Sequence, residues 1–181
     1  MYRNAVFRTR RGTLLAVLIL GAVAVLAVVL DQPLPPLAGT ARASDGDSLR
    51  IGDTRIRLLG LDAPELAQSC TGDDGTSWPC GQVARSRMSE LLASGPLDCR
   101  PEDRDQYDRL LAVCRVDGQD IAAVMVGEGL AISSGGYWNE EAKARREGLG
   151  IWSGGFDLPA DWRRDQARPQ GAFGWLGEFF R

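Results

Sequence analysis

The sequence predicts a small, curled antiparallel β-sheet closed by helices, with one apolar segment in front of it. Three observations favour this class. Five short β-like segments and three helical ones occur between residues 39 and 164, no internal repeat is visible, and the hydrophobic and charged fractions, 44% and 25%, are those of a folded protein. Because a short sheet buries its apolar face by curling and by accepting helices over it, these elements fit a single small domain.

The amino terminus carries a candidate membrane segment. Residues 14–30 (LLAVLILGAVAVLAVVL) contain no charge, and as a helix they span roughly 25 Å, the short end of what crosses a bilayer core. They follow four arginines, Arg3, Arg8, Arg10 and Arg11. By the positive-inside rule we expect a cytoplasmic basic segment at 1–12 and a transmembrane signal anchor at 13–30, with the remaining chain periplasmic or extracellular. A cleaved signal peptide is the alternative, and it predicts the same compartment.

The elements that follow are predicted from turns, breakers and hydrophobic spacing. Residues 31–38 (DQPLPPLA) form a proline-rich linker, and residues 39–164 form the domain. The predicted strands lie at 42–51 (two strands around the turn Asp45-Gly46-Asp47), 54–59, 97–102 and 110–116. The predicted helices lie at 81–93, 119–129 and 139–147, the last with Asn139 as its cap. We expect the apolar tail, 165–181, to pack on the domain, with contact to a membrane interface as the alternative.

The charge balance excludes several kinds of chemistry. Residues 31–181 hold 17 basic and 24 acidic side chains, a net charge of −7, which rules out a strongly basic nucleic-acid coat for the folded part. The chain contains no histidine, so Ser-His-Asp triads, Cys-His pairs and His-ligated zinc are excluded. General acid–base catalysis would therefore use carboxylates, with arginine as the electrophile and a hard metal ion as the candidate cofactor.

The four cysteines predict disulfide bonds. An even number in an exported chain favours two bridges, for which three connectivities exist, with four buried free thiols as the alternative. If 97–102 and 110–116 form a hairpin, Cys99 and Cys114 lie opposite each other, within disulfide reach. Cys70 and Cys80 would then close the loop between them. The absence of a CxxC pair argues against a zinc site.

Three charged segments contain the candidate site: DGDS at 45–48, RLLGLDAPE at 57–65 and DQYDR at 105–109. Each alone has a structural explanation as a turn, an ion pair or a solvated hairpin tip. Together they supply what phosphodiester hydrolysis requires, namely hard oxygen ligands for a cation, a carboxylate base for water, and arginines that match phosphate geometry.

These segments resemble the staphylococcal nuclease (thermonuclease) family. The resemblance runs from about Gly39 to Trp162 and is carried by DGDSLRI, IRLLGLDAPE, CGQVARSRMSELL, DQYDRLLAVCRVDGQDI and KARREGLGIW. It implies a β-barrel plus α fold, an OB-fold with a five-stranded barrel and three helices. It also implies cleavage of DNA and RNA that depends on Ca²⁺, with Mg²⁺ as the second choice.

The resemblance also implies the metal ligands and the base. Asp47 and Asp62 match the family's metal-binding aspartates. Ala63 stands where the family lends a backbone carbonyl to the ion. Glu65 matches the glutamate that activates or orients the attacking water.

The implied phosphate-binding residues come with departures from the family pattern. Arg57 and Arg109 match the two arginines that grip the phosphate, and Tyr107 matches a tyrosine near it. Tyr137 stands where the family often stacks a base. Asp108 replaces the usual glycine before the second arginine, and we expect its charge to weaken phosphate binding.

The sequence thus predicts an exported, membrane-anchored, monomeric nuclease that acts on DNA or RNA with a divalent cation. The alternative is a catalytically weak OB-fold module for binding or assembly at the cell envelope, which the acidic surface and Asp108 would favour.

Overall fold

A computed structural model of the chain describes residues 3–30 and 34–168, and it divides the chain into two units, Met1–Leu34 and Pro35–Arg181. The first unit holds one helix, α1 (Arg3–Leu30), which contains the segment predicted as a membrane anchor. Among the described residues, no helix combines the length and the apolar character that a membrane span needs. The predictions for residues 31–33 and for most of the tail, 169–181, lie outside the described residues.

The second unit is built from short strands, helices and one 3₁₀ turn. Its described strands are β1 (Leu37–Ala38), β2 (Ala41–Ala43), β3 (Ser48–Ile51), β4 (Thr54–Leu58), β5 (Leu61–Asp62), β6 (Cys70–Thr71), β7 (Ser77–Trp78), β8 (Leu97–Arg104), β9 (Leu110–Val116), β10 (Gln119–Asp120) and β11 (Ile132–Ser133). Its described helices are α2 (Cys80–Ala93), α3 (Ile121–Gly127), α4 (Trp138–Glu147) and α5 (Pro159–Gln166), with a 3₁₀ turn at Gly150–Ser153.

The main sheet has the strand order β1-β8-β9-β4-β3-β2, and β10 adds to β9. All neighbours are antiparallel except β4 and β9, which run parallel. The chain meanders through β2, β3 and β4, crosses over through α2, and returns with β8 and β9. This curled sheet with helices fits the predicted OB-fold. Leu37 and Ala38, predicted as part of the linker, instead pair with Cys99 and Asp98, because β8 offers them a free edge.

The core lies between the concave face of the sheet and the helices. In β9 every second side chain is buried, namely Leu110, Ala112, Cys114 and Val116, which is the alternation of a strand covered on one face. Helix α2 buries Ala84, Met88 and Leu91 on one side, as their spacing predicts. Helix α2 packs against β2, which neighbours β3 in the sheet.

The predicted helices are present with shifted ends. Helix α3 begins at Ile121 because Asp120 caps it through the amides of Ala122 and Ala123. Helix α4 begins at Trp138, so Asn139 lies inside the helix and is not its cap. Helix α5 was not predicted, although Pro159 at its first position is a recognised start signal.

Both predicted disulfides are confirmed. Cys70 is bonded to Cys80, and Cys99 to Cys114 across directly opposed positions of β8 and β9. No free cysteine occurs in the described ranges. The first bridge ties the loop after Glu65 to the start of α2, and the second joins the two long strands of the sheet.

We expect the double variant Cys99→Ala/Cys114→Ala to lower the free energy of unfolding by about 3 kcal/mol, because a bridge that closes a loop of this length removes disorder from the unfolded chain. Urea unfolding at equilibrium measures the difference. The wild-type protein without reductant should show no reactive thiol when it is denatured. Free thiols in that control would contradict the bridges.

Candidate functional site

The charged segments meet in one cleft of about 570 Å³ at the end of the sheet. Its lining residues come from four separate parts of the chain. They are Asp45, Asp47, Arg55, Arg57, Ala63, Pro64, Glu65, Tyr107, Arg109 and Arg163. Four of the ten are arginines and three are acids, so the cleft balances its charges locally although the domain is acidic.

Asp47 is presented by the tight turn before β3. The Asp45 carboxylate accepts hydrogen bonds from the backbone amides of Asp47 and Ser48 at 2.9 and 2.7 Å, which shapes this turn. A side chain on Gly46 would meet the methyl groups of Ala63 and Ala84 at 2.7 and 2.8 Å, so only glycine fits. The turn therefore places Asp47, which is only 4% exposed, at the start of the β3–β4 strand pair.

Arg57 joins the two predicted metal-binding aspartates. Its position opposite Ser48 in the β3–β4 ladder places it beside Asp47. Its Nη2 atom lies 2.7 Å from Asp47 Oδ2 and 2.7 Å from Asp62 Oδ1. Burial raises the pKa of Asp47 to about 7, even though the Arg57 guanidinium favours the charged carboxylate. Arg57 is thus the counter-charge for both acids as well as a wall of the cleft.

Glu65 is held through its backbone by Gln68, a residue that sequence reasoning missed. The Gln68 side-chain oxygen accepts from the Glu65 amide at 3.1 Å, and its side-chain nitrogen donates to the Asp157 carbonyl at 2.7 Å. Gln68 is 1% exposed. A Cβ on Gly81 would come within 1.8 Å of the Glu65 carbonyl, so α2 packs directly on this turn. Gln68 therefore links the segment that carries Glu65 to the segment that leads into α5.

Arg163 from α5 enters the same cleft, which no sequence signal predicted. Its Nη1 atom donates to Glu65 Oε1 at 2.6 Å and to Asp62 Oδ1 at 3.1 Å, and its Nη2 atom donates to Asp62 Oδ2 at 3.0 Å. The hydrogen bonds to Asp62 and Glu65 raise the pKa of Arg163, so the guanidinium stays charged. Asp62 is consequently shared between two arginines.

Arg109 is presented by the β8–β9 turn, and Asp105 organises it. The Asp105 carboxylate accepts from the backbone amides of Tyr107 and Arg109 and from Arg109 Nε at 2.7 Å. Desolvation would raise the pKa of Asp105, but these bonds to Arg109 hold it below its usual range. The Arg109 guanidinium lies 5.7 Å from the centre of the Tyr107 ring. Because Asp105 uses Nε, both Nη nitrogens of Arg109 are left without a carboxylate among the described residues.

Asp108 does not line the cleft, and its expected effect on phosphate binding stays a prediction. It adopts the left-handed conformation, with φ 60°, where the family pattern has glycine. Its carboxylate is 80% exposed and pairs with Arg104 at 2.8 Å. Asp108 is not among the residues that line the cleft, because the turn directs Arg109 inward and leaves Asp108 at the tip.

Most of the predicted site residues are brought together. Asp47, Arg57, Ala63, Glu65, Tyr107 and Arg109 line the cleft, and Asp62 is bonded to Arg57 at its edge. Tyr137 does not line it. Its hydroxyl donates to Asp120 at 3.2 Å and its ring lies against Gly60, where an added Cβ would meet it at 2.6 Å. Burial and Asp120 raise the pKa of Tyr137 to about 12.

The oxygen donors of the cleft suit a hard divalent cation. Asp47 and Asp62 converge on one positive group, Arg57 Nη2, so their charges are concentrated in one place. Ca²⁺ and Mg²⁺ prefer carboxylate oxygens and complete their shells with carbonyls and water. Within the ranges that the structure covers, no three acidic, cysteine or histidine side chains are grouped closely enough to enclose a metal ion by themselves. A cation here would depend on two aspartates, with backbone, water and substrate oxygens as further ligands.

The fold and the cleft define a curled OB-type domain with an acid–arginine site between its β2–β3 and β8–β9 turns. Residues 55–154 match the family model described as staphylococcal nuclease homologue. The match covers more than half of the sequence, and the chain belongs to this family.

Several curated relatives are similar to this chain. A micrococcal nuclease of Shigella flexneri is 31% identical over 164 residues, which cover 76% of this chain and 88% of the relative. The succinoglycan biosynthesis protein ExoI of Rhizobium meliloti is 34% identical over 124 residues, 65% of each chain. The SPbeta prophage-derived endonuclease YokF of Bacillus subtilis is 34% identical over 132 residues, 62% of this chain and 42% of the relative. The chain thus spans about two thirds of the length of the Rhizobium meliloti protein and less than half of the length of the Bacillus subtilis endonuclease.

We expect Gln68→Leu to lower the free energy of unfolding by about 1–3 kcal/mol, because the variant leaves the Glu65 amide and the Asp157 carbonyl without their partner. Chemical denaturation measures the loss. Gln82→Leu, an exposed substitution on α2, is the matched control and should leave stability unchanged. Equal stability of the two variants would show that the Gln68 side chain does not stabilise the fold.

Proposed function

We propose that this protein is a nuclease that hydrolyses phosphodiester bonds of DNA or RNA in the described cleft, with Ca²⁺ as the expected cofactor and Mg²⁺ as the second choice. The observation that carries the proposal is the meeting of Asp47, Arg57, Asp62, Glu65 and Arg109 at one cleft, in a chain of the staphylococcal nuclease homologue family. The names of two relatives, micrococcal nuclease and endonuclease, support it.

Asp47, Asp62 and the Ala63 carbonyl would hold the cation, which would supply positive charge to the phosphate oxygens. The chain prepares this position before any substrate arrives. The Asp47 carboxylate is fixed by Ser48 Oγ at 2.8 Å and by the Ala63 amide at 3.5 Å. Both acids are more than 90% buried, so their charge acts through little water.

Glu65 is the proposed general base. A carboxylate at the edge of the cleft can accept a proton from the attacking water, which is the role that histidine would otherwise fill. Its backbone is fixed by Gln68, so the position of the carboxylate depends on its three side-chain torsions and on its partner Arg163. The cleft provides the space in which this water and the phosphate would meet.

Arg57 and Arg109 are the proposed phosphate-binding residues, and their present partners give them different tasks. Within the described residues neither Nη nitrogen of Arg109 donates a hydrogen bond to a carboxylate, and these two donors match a pair of phosphate oxygens. Arg57 holds the two aspartates together and adds positive charge behind the reacting phosphate. Tyr107, which is 61% exposed beside Arg109, is placed to contact the nucleotide.

We further propose that the domain works in the periplasm or outside the cell, as a monomer. The two disulfides support an oxidising compartment. Anchoring through residues 13–30 is proposed on the sequence alone, from the uncharged run and the arginines that precede it.

The direct test incubates the full chain with single-stranded DNA, and separately with RNA, in the presence of Ca²⁺, of Mg²⁺ or of a chelator. We expect cleavage with Ca²⁺ and none with the chelator, because two aspartates without a cation cannot neutralise the phosphate. Gel analysis of end-labelled substrate gives the rate. Chelator-resistant cleavage would contradict the metal requirement, and no cleavage with either cation would support the binding module instead.

We expect Glu65→Gln to lower turnover by on the order of 10²-fold or more, because the amide cannot take the proton. Single-turnover rates at saturating Ca²⁺ measure the effect. Glu90→Gln, which alters an exposed acid on α2, is the matched control and should keep the wild-type rate. Undiminished turnover in Glu65→Gln would exclude Glu65 as the base.

A further inference from the structure

Arg163 occupies the two acids that the proposed function needs most. It is bonded to both carboxylate oxygens of Asp62 and to one of Glu65, with distances between 2.6 and 3.1 Å. Asp62 is a proposed cation ligand and Glu65 the proposed base. The inference below rests on that proposed function and adds a control over its metal site.

The guanidinium and a divalent cation would compete for the same oxygens. Asp62 Oδ1 already accepts from Arg57 and from Arg163, and Asp62 Oδ2 accepts from Arg163. A carboxylate oxygen that directs its lone pairs at two guanidinium groups has little capacity left for a cation. Binding of a cation to Asp62 therefore requires that Arg163 give up at least one of these bonds.

The net charge of the acids and arginines around Asp62 also favours competition between Arg163 and a divalent cation. Asp47, Asp62 and Glu65 in their ionised forms, together with Arg57, carry a net charge of −2, which matches a divalent cation. With Arg163 in place the cluster carries only −1. An arginine guanidinium is protonated at any physiological pH, so Arg163 competes as a full positive charge.

Arg163 is also placed so that it can leave. Its side chain is 40% exposed, and it extends from α5, a two-turn helix at the edge of the domain. Rotation of the side chain into solvent would break ion pairs without opening the buried core. By contrast, Arg57 is 22% exposed and lies in a central strand, so it has no such freedom.

We propose that Arg163 is an internal competitor of the divalent cation: it holds Asp62 and Glu65 while the site lacks metal, and a cation must displace it to bind. In the metal-free state the same contact restrains Glu65, because the Arg163 guanidinium occupies Glu65 Oε1 and this oxygen is then not free to accept a proton from water. Displacement by the cation both completes the metal site and releases the base. Arg163 thus acts through Asp62 and Glu65, as a positioning residue that sets the metal affinity.

The test measures Ca²⁺ binding to the full chain without nucleic acid, by isothermal titration calorimetry, for wild type, Arg163→Ala and Arg164→Ala. Arg164 is the matched control because it lies on the same helix and pairs only with exposed Asp161 among the described residues. We expect Arg163→Ala to bind Ca²⁺ roughly tenfold more tightly or better, since each bond to a charged group accounts for about that factor. Arg164→Ala should bind like wild type.

The direction in which Arg163→Ala changes the Ca²⁺ affinity distinguishes the competitor role from a structural one. Loss of a structural contact would loosen the acids and weaken Ca²⁺ binding, whereas loss of a competitor strengthens it. Binding by Arg163→Ala that is equal to wild type or weaker overturns the inference, whatever the nuclease assay gives. Absence of cation-dependent cleavage by wild type overturns the proposed function, and the calorimetric comparison still decides the role of Arg163.

Arg163→Lys provides the second variant if the alanine variant does not fold. A single ammonium cannot bond both oxygens of Asp62 and also Glu65, so it competes less well than the planar guanidinium. We expect Ca²⁺ affinity between those of wild type and Arg163→Ala, with a matching fall in the Ca²⁺ concentration that gives half-maximal cleavage. A folded Arg163→Lys with wild-type affinity contradicts the proposal.

Discussion

The burial of the Asp47 carboxylate is the constraint on which the site depends. An ionised group that is 4% exposed must find partners inside the protein, because water no longer solvates it. Here the partners are Arg57 from the neighbouring strand, the Ser48 hydroxyl and, at longer range, the Ala63 amide. Each comes from a different element, so the charge can be balanced only after β3, β4 and the segment beyond β5 have assembled. The chemistry of the cleft is therefore inseparable from the register of the sheet. A slip of one residue between β3 and β4 would turn Arg57 to the opposite face and leave Asp47 unpaired.

Each of two turns beside the cleft is shaped by an aspartate that accepts hydrogen bonds from backbone amides. Asp45 accepts the amides of the turn before β3, and Asp105 accepts the amides of the turn between β8 and β9. In the sequence both aspartates belong to the charged segments that contain the candidate site. In the structure they are turn-forming residues, and Asp105 also fixes Arg109 directly. The side chains with proposed roles, Asp47 and Arg109, stand two and four positions after these aspartates. The number of acids in a charged motif thus overstates the number available for chemistry.

The sequence was most informative where local physics decides the outcome. The opposed cysteines of β8 and β9 followed from hairpin geometry, and the buried face of α2 followed from its spacing. Asp47, Arg57, Asp62, Glu65 and Arg109 are predicted as site residues because their types and order resemble one family, and the structure brings them to one cleft. Gln68 and Arg163 are not predicted as site residues, because their contacts join residues that are 89 to 101 positions apart in the chain. No periodicity in the sequence encodes such contacts. Tyr137 was placed by its position in a loop, and the loop turns its hydroxyl toward Asp120 instead of the cleft.

The contrast between the domain and its cleft constrains how a polyanion could be recognised. The part of the chain after residue 30 has a net charge of −7, so its long-range field opposes the approach of nucleic acid. The four arginines among the ten cleft residues act only within about a Debye length, ~10 Å at moderate salt. Attraction therefore begins when a phosphate has already reached the cleft, and added salt screens the repulsion as well as the attraction. Arg163 reduces this attraction further, because Asp62 and Glu65 neutralise its charge until the proposed displacement occurs. A site built in this way draws its selectivity from what fits between Arg109 and the aspartates, and much less from the surface around it.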